Sequence, residues 1–313
     1  QLSLGEQRTA ADQLVNAQRV MVLLREPLTA EAAVEVALRQ HPAIQALWAG
    51  LAVTQAEVEQ ASRLPNPGLS WGRARRGDEL ENTTSLHVGL ARLLFLPLTR
   101  ELEQRRLSQA QRAAAIELLQ HVHATRKAYF EAVAARERLR FSTEVLEAAK
   151  AGAELARRMK AVGNFSVLQQ SMEKGFEAEA VQGLARARRE EALARERLAQ
   201  LLGMSALGSA LDLPERLPSL PASLQTRREL EQMTLDQRLD VQASVMRVEQ
   251  TAKALGLTRV TRWVNVLDVG AQRTASNELA TQTGWEISLE LPLFDWGQSR
   301  MERAEALLRQ AHA

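Results

Sequence analysis

The chain has 313 residues, 45% of them hydrophobic and 25% charged, which is typical of a folded protein and excludes a disordered one. Its 40 basic and 38 acidic residues give a formal net charge of +2, and because the two signs are interspersed, there is no basic block of the kind that binds nucleic acid. Cysteine is absent, which excludes disulfides, thiolate metal sites, a cysteine nucleophile and a lipid-bearing cysteine in this stretch. No apolar run reaches the roughly 18 residues of a transmembrane helix, and the signal peptide of an exported form would already have been removed.

The first part of the chain predicts helices followed by two strands. Residues 1–28 are an N-terminal segment in which "DQLVNAQRVMVLLREP" predicts a short helix. Two helices are predicted in residues 29–65, where Thr29 is a favourable N-cap residue and a Pro-Asn-Pro sequence ends the second helix. A β-hairpin is predicted in residues 66–97, with strands in "GLSWGRAR" and "TTSLHVGLARLLF" separated by the loop "RGDELEN".

Residues 98–203 predict a long antiparallel helical hairpin. One helix runs from residue 99 to about 160 and the other ends at about 202. Gly163 and Asn164 are suited to the reversal between them, and Ser166 to the N-cap of the second helix. A seven-residue repeat rich in alanine is typical of closely packed, coiled helices, and it is formed by Leu118, Thr125, Ala132, Leu139, Leu146 and Ala153, then by Ala180, Ala187, Ala194 and Leu201.

The remainder of the chain repeats the order of the beginning. A connector at 204–223 precedes a helix in 224–262, a second β-hairpin in 263–294 and the start of another long helix in 295–313. "IQA" and "GLARLLF" of the first half align with "VQA" and "SLELPLF" of the second at a nearly constant offset, which predicts an internal duplication. The duplication predicts a second helical hairpin beyond the last residue given. The sequence "LLFLPLTR" in the first half lacks the glycine of "PLFDWGQSR", so the strand-to-helix bend is expected to differ there.

Apolar and polar residues alternate along these strands, most clearly in "GWEISLELPLF". A four-stranded sheet with one apolar face would leave that face and two edges uncovered. Three chains that share their strands would close a twelve-stranded barrel, with apolar side chains in lipid and polar ones in an aqueous lumen. The predicted lumen-facing residues are His87, Glu286 and Glu290. The predicted lipid-facing residues are Leu69, Trp71, Leu86, Val88, Leu90, Leu267, Val269, Trp285, Ile287, Leu289 and Leu291. A soluble sheet packed on helices is the alternative interpretation.

This organisation resembles the TolC family of outer-membrane efflux channels. The resemblance covers residues 28–313 and rests on "LTAEAAVEVALRQHPAIQA", "QASRLPNPGLSWG", "AVGNFSVLQQ" and "SLELPLFDWGQSRMERAEA". It implies a mainly α-helical homotrimer with a shared twelve-stranded β-barrel in outer-membrane lipid and an α-helical barrel in the periplasm. It also implies a passive exit duct for efflux or type I secretion, driven by an inner-membrane pump through a periplasmic adaptor. The adaptor contact is expected at the tip of the helical hairpin, at Val162, Gly163, Asn164, Phe165 and Ser166.

No catalytic, cofactor or metal site is predicted. The sequence contains no Gly-rich phosphate loop, no G-x-S-x-G and no H-E-x-x-H. His121 and His123 are interpreted as surface residues because side chains two apart on a helix point to different sides. Met159 and Met172 are interpreted as packing in the helical seam rather than as soft-metal ligands. The alternative function is a soluble periplasmic coiled-coil scaffold or interaction protein, and the transported substrate is not predicted.

Overall fold

The computed structural model describes residues 9–204, 211–219, 238–261, 267–289 and 296–312. As the sequence predicts, the described chain is mainly helical with a small antiparallel sheet of four strands. The elements in chain order are α1 Ala10–Leu23, α2 Ala30–Gln40, α3 Pro42–Ala61, β1 Gly68–Arg76, β2 Glu79–Gly89, α4 Leu90–Ala161, α5 Val167–Leu201, α6 Leu239–Thr261, β3 Leu267–Ser276, β4 Gln282–Leu289 and α7 Gln298–His312.

The chain divides into two compact units, which are residues 1–49 with 115–230 and residues 50–114 with 231–313. The first unit is helical, and its core combines α1, α2, α4 and α5 with the connector at 211–219. The predicted cap of α2 is confirmed, since Thr29 Oγ1 accepts a hydrogen bond of 3.1 Å from the Ala32 amide. The fully buried side chains of this core include Leu28, Val36, Val133, Leu198, Leu202 and Leu213.

The predicted helical hairpin is confirmed in α4 and α5. In the seven-residue repeat, Thr125 and Ala132 are completely buried, and Leu139 packs against a second core cluster formed by Leu146, Ala149, Ala180 and Leu184. Gly163 adopts a φ of 79°, the left-handed conformation that reverses the chain. Ser166 and Gln169 form a capping box, in which Ser166 Oγ accepts from the Gln169 amide at 3.1 Å.

The second unit contains the sheet, in which the strands follow the order β1-β2-β3-β4 and every neighbouring pair is antiparallel. The first hairpin is tighter than the sequence predicted. Gly77, with a φ of 62°, and Asp78 are the only residues between β1 and β2, because a glycine at a tight turn lets the strands continue to its edge. The predicted loop "RGDELEN" is therefore wrong at both ends.

The prediction that a strand continues through "GLARLLF" is also wrong, because α4 begins at Leu90. Leu, Ala and Arg are strong helix formers, and no β-branched residue in this stretch favours a strand. Pro97 lies inside the helix, and the Thr99 hydroxyl donates to the Phe95 carbonyl at 3.0 Å one turn earlier. Of the helix predicted in 224–262, the structure describes only Leu239–Thr261 and its preceding residue.

Candidate functional site

The strand register brings the predicted lipid-facing residues together on one face of the sheet, which we call the apolar face. One row across all four strands consists of Leu69, Leu86, Ala271 and Trp285. The next row on the same face consists of Val88, Val269 and Ile287, followed by Leu267 and Leu289. Trp71 lies on this face on the other side of the first row. Leu90 is the first residue of α4 rather than a strand residue, and Leu291 lies outside the described residues.

The apolar face is open to solvent in the single chain. Trp285 is 76% exposed, Leu69 73%, Trp71 65%, and Ile287 and Leu289 more than half. Soluble proteins seldom leave a contiguous apolar surface of this kind without a partner, so the face marks a membrane or protein contact. Among the described residues of the second unit, no helix covers these side chains, which does not fit the alternative of a soluble sheet packed on helices. Contact with lipid itself stays a prediction.

The opposite face of the sheet, which we call the polar face, carries the predicted lumen-facing residues. His87 and Glu286 line a shallow cavity of about 180 Å³ together with Asp268 and three serines, Ser70, Ser85 and Ser288. The hydroxyl oxygens of Ser70 and Ser85 are 2.5 Å apart. Glu290 lies outside the described residues. The sequence analysis missed Asp268, although its alternation with the apolar Leu267 and Val269 already assigns it to the polar face.

Glycine makes room for the titratable side chains of the polar face. His87 lies between Gly68 on β1 and Gly270 on β3 in the register, and Gly270 in turn pairs with Glu286. A Cβ atom on Gly68 would overlap the imidazole of His87, because that ring lies over the backbone of β1. The row Gly-His-Gly-Glu therefore presents one imidazole and one carboxylate beside the Asp268 carboxylate and the three serines of the cavity.

The tip of the helical hairpin exposes apolar side chains beyond those predicted. Of the predicted residues, Val162 is 72% exposed, whereas Phe165 is half-buried. Val167, Leu168 and Met172 at the start of α5 are each about two-thirds exposed or more, and the sequence analysis missed them as surface residues. The interpretation that Met172 packs in the seam is wrong. Extending the seven-residue repeat from Ala180 towards the tip would have excluded all three from the seam. We call Val162, Val167, Leu168 and Met172 the tip patch.

The surface interpretation of His121 is wrong, whereas His123 is exposed. The His121 ring lies 4.3 Å from the ring of His41, and its Nε2 is 3.1 Å from the Leu201 carbonyl oxygen. Burial lowers the pKa of both His41 and His121. Across the described residues, no group of three histidine or carboxylate side chains could hold a metal ion. The helices that the structure describes include none with the length and hydropathy needed to cross a membrane.

The chain is similar to proteins of known name over most of its length. It is 28% identical over 300 residues to CzcC, a cobalt-zinc-cadmium resistance protein of Cupriavidus metallidurans, and the match covers 91% of this chain and 67% of CzcC. No protein-family model matches the chain. Its fold is similar to two crystal structures that each cover 90% of the chain. One is the outer-membrane protein VceC of Vibrio cholerae, with a TM-score of 0.70, 18% sequence identity and coverage of 73% of that chain. The other is the outer-membrane channel CmeC of Campylobacter jejuni, with a TM-score of 0.72, 15% sequence identity and coverage of 66% of that chain.

CmeC is described as an outer-membrane channel and VceC as an outer-membrane protein, and the predicted outer-membrane location agrees with theirs. At identities below 20%, the crystal structures establish the fold. The resemblance inferred from the sequence is confirmed, and this chain has the fold of the TolC family of outer-membrane channels.

Proposed function

We propose that the protein is the outer-membrane exit duct of an efflux or secretion system. The observation that carries this proposal is the sheet with one exposed apolar face and one polar face. Lipid would cover the side of Trp285, Ile287 and Leu289, while His87, Asp268 and Glu286 would face water in the lumen. Transport through such a duct is passive, and an inner-membrane pump would supply the energy.

The duct would be a homotrimer. The strand order leaves β1 and β4 at the two edges of the sheet, and exposed edges must be paired or covered in a membrane. Four strands are too few to close a barrel, since closed barrels have about eight or more. Pairing β4 of each chain with β1 of the next removes every edge and gives twelve strands from three chains.

The tip patch would contact the helical hairpin of a periplasmic adaptor. The patch is apolar and lies at a helix reversal, where an α-helical partner can bury Leu168 and Met172 in a groove. Replacing both residues with aspartate should abolish efflux and leave trimer formation unchanged. The exposed Lys174 nearby provides the control, because Lys174→Asp introduces the same carboxylate outside the patch. Normal efflux by the double variant would remove the tip from the adaptor contact.

Divalent cations are the cargo that we would test first. CzcC is named for cobalt, zinc and cadmium resistance, and the carboxylates of Asp268 and Glu286 on the polar face would favour cations over anions in the lumen. The measurement is the growth of a strain that lacks the gene on graded metal concentrations, with and without the Asp268→Asn and Glu286→Gln variants.

Fractionation of the protein produced from its complete gene tests the proposal as a whole. The expected result is a trimer that leaves the outer membrane only in detergent and dissociates on heating. A monomer in the soluble periplasmic fraction would instead support the coiled-coil scaffold and overturn the duct.

A further inference from the structure

Three arginines extend the apolar face towards the turns of the two β-hairpins. Arg273 on β3 lies in the same row as Trp71, separated from it by Thr84 on β2. Arg73 and Arg75 follow Trp71 on β1, two and four residues further towards the turn, and therefore point to the same face. We call Arg73, Arg75 and Arg273 the arginine band. All three side chains are exposed.

The charges in these rows are separated by face. Glu79 and Glu81 of β2 lie on the polar face, opposite in direction to Arg73 and Arg75. Glu79 Oε1 accepts a hydrogen bond from the Ser276 hydroxyl at 3.2 Å on that side. Within the part of the chain that the structure describes, no carboxylate forms an ion pair with the arginine band, and Arg75 Nε donates to the Gly77 carbonyl at 3.0 Å. The cations of the apolar face are therefore available to an external anion.

The position of the band along the strands fits a membrane surface. Three rows of apolar side chains end at Trp285 and Trp71, and tryptophan is favoured where hydrocarbon meets the polar headgroups. Arg73 lies roughly 7 Å and Arg75 roughly 13 Å beyond Trp71 along β1, at about 3.3 Å per residue. Charged groups at the hydrocarbon centre are costly, whereas the same groups at this boundary reach the headgroups at little cost.

We propose that the arginine band binds the phosphate groups of lipopolysaccharide in the outer leaflet of the outer membrane. This inference rests on the proposed function, in which the helices lie in the periplasm and the hairpin turns face the cell exterior. Guanidinium groups form bidentate, charge-assisted hydrogen bonds with phosphate oxygens. Three of them in adjoining rows beside an apolar surface match a lipid that has phosphorylated sugars above its acyl chains.

The variant that tests the proposal replaces all three arginines with glutamine, written R73Q/R75Q/R273Q. Glutamine keeps a polar side chain of similar length and removes only the positive charge. Arg76 provides the matched control because it is the next residue of β1 and lies on the polar face. Each protein is purified from the outer membrane in mild detergent, and the retained lipopolysaccharide is quantified per trimer from its hydroxylated fatty acids.

The wild-type protein and Arg76→Gln should retain lipopolysaccharide, whereas retention by the triple variant should fall by roughly tenfold or more, as expected for lost charge-assisted contacts. Equal retention by all three proteins would overturn the proposal while leaving the duct intact. If the wild-type protein itself is absent from the outer membrane, the proposed function fails instead.

A second measurement uses only the wild-type protein and so does not depend on folding of the variant. The trimer is reconstituted in nanodiscs that contain lipid A, dephosphorylated lipid A or phosphatidylglycerol, and its thermal dissociation is followed. A dissociation temperature that is higher in nanodiscs with lipid A than in those with either of the other two lipids supports recognition of phosphorylated sugars. Equal temperatures with and without the lipid A phosphates would overturn the proposal, as would equal stabilisation by phosphatidylglycerol.

Discussion

The two junctions at which a strand is followed by a helix, β2 to α4 and β4 to α7, differ in their local structure. In the first half, β2 ends at Gly89 and α4 begins at the next residue. In the second half, α7 begins at Gln298, directly after Gly297 in the left-handed conformation with a φ of 71°. The segment "GLARLLFLPLTR" at the first junction is one residue shorter than "SLELPLFDWGQSR" at the second and contains no glycine after Gly89.

At the second junction a glycine supplies the left-handed conformation that precedes the helix. A left-handed backbone costs a residue with a side chain about 1–2 kcal/mol, and among the described residues only glycines have a positive φ. At the first junction the helix follows β2 directly after Gly89, and "LARLLFLP" is part of a 72-residue helix. The two junctions therefore differ in local structure, since α4 follows β2 without a break, whereas a left-handed glycine precedes α7.

The largest expected effect tests whether the two hairpins contribute equally to one apolar face. Val88 and Ile287 lie in the same row, either side of Val269. Val88→Arg and Ile287→Arg should each weaken insertion by about 2–4 kcal/mol if both lie near the middle of the lipid. The measurement is urea unfolding of the protein reconstituted in lipid.

The controls for these variants lie on the polar face. Ser85→Arg and Ser288→Arg introduce the same charge into the first and second hairpin, where water would hydrate it. Both should insert normally. A loss of insertion in only one of the two hairpins would show that the sheet does not meet lipid symmetrically, and equal effects on both faces would contradict the assigned facing.

The next largest effect is expected at the second junction. Gly297→Ala places a Cβ on a left-handed residue and should destabilise the protein by about 1–2 kcal/mol. Gly256→Ala in α6 is the control, since a Cβ there meets no atom within 4 Å. That change should stabilise the helix by about 0.5–1 kcal/mol. Thermal unfolding of both variants measures the two effects. If they have the same sign, the left-handed conformation at Gly297 is not required.

A change of opposite sign is expected at the first junction. Proline inside a helix removes a backbone hydrogen bond, and Pro97 is exposed, so its ring contributes little to packing. Pro97→Ala should therefore raise the free energy of unfolding by about 1 kcal/mol, a part of the roughly 3 kcal/mol that separates the two residues in an isolated helix. Thermal unfolding measures it, with Pro65→Ala outside the helices as the control. Destabilisation by Pro97→Ala would indicate that the proline is needed for the local packing of α4.

The same local physics explains which features could be predicted from the sequence. The seven-residue repeat and the caps at Thr29 and Ser166 depend on neighbouring residues, and the structure confirms them. The start of α4 at Leu90 could not be predicted, because "GLARLLF" satisfies both a short buried strand and a helix. The role of Gly68, which leaves space for the His87 ring, could not be predicted either, since only the strand register shows that His87 lies over it.

The smallest effect concerns a difference between the halves away from the sheet. His41 packs against His121, whereas the predicted duplication, with "IQA" aligned to "VQA", would place Arg238 at the position that corresponds to His41. Burial lowers the pKa of both histidines below the usual value of 6.5, although the charge of Glu117 opposes this for His121. The folded protein therefore binds fewer protons than the unfolded chain in mild acid. The contribution of the two neutral histidines to the free energy of unfolding is complete above about pH 6.5 and is lost as the pH falls through their lowered pKa values.

His121→Gln should flatten this pH dependence of the free energy of unfolding by up to about 1 kcal/mol between pH 7 and 5. His123→Gln, on the exposed side of the helix, should leave the pH dependence unchanged. Unfolding curves at the two pH values measure the difference, and an equal slope in the His121→Gln variant and the wild-type protein would assign the acid sensitivity to other groups.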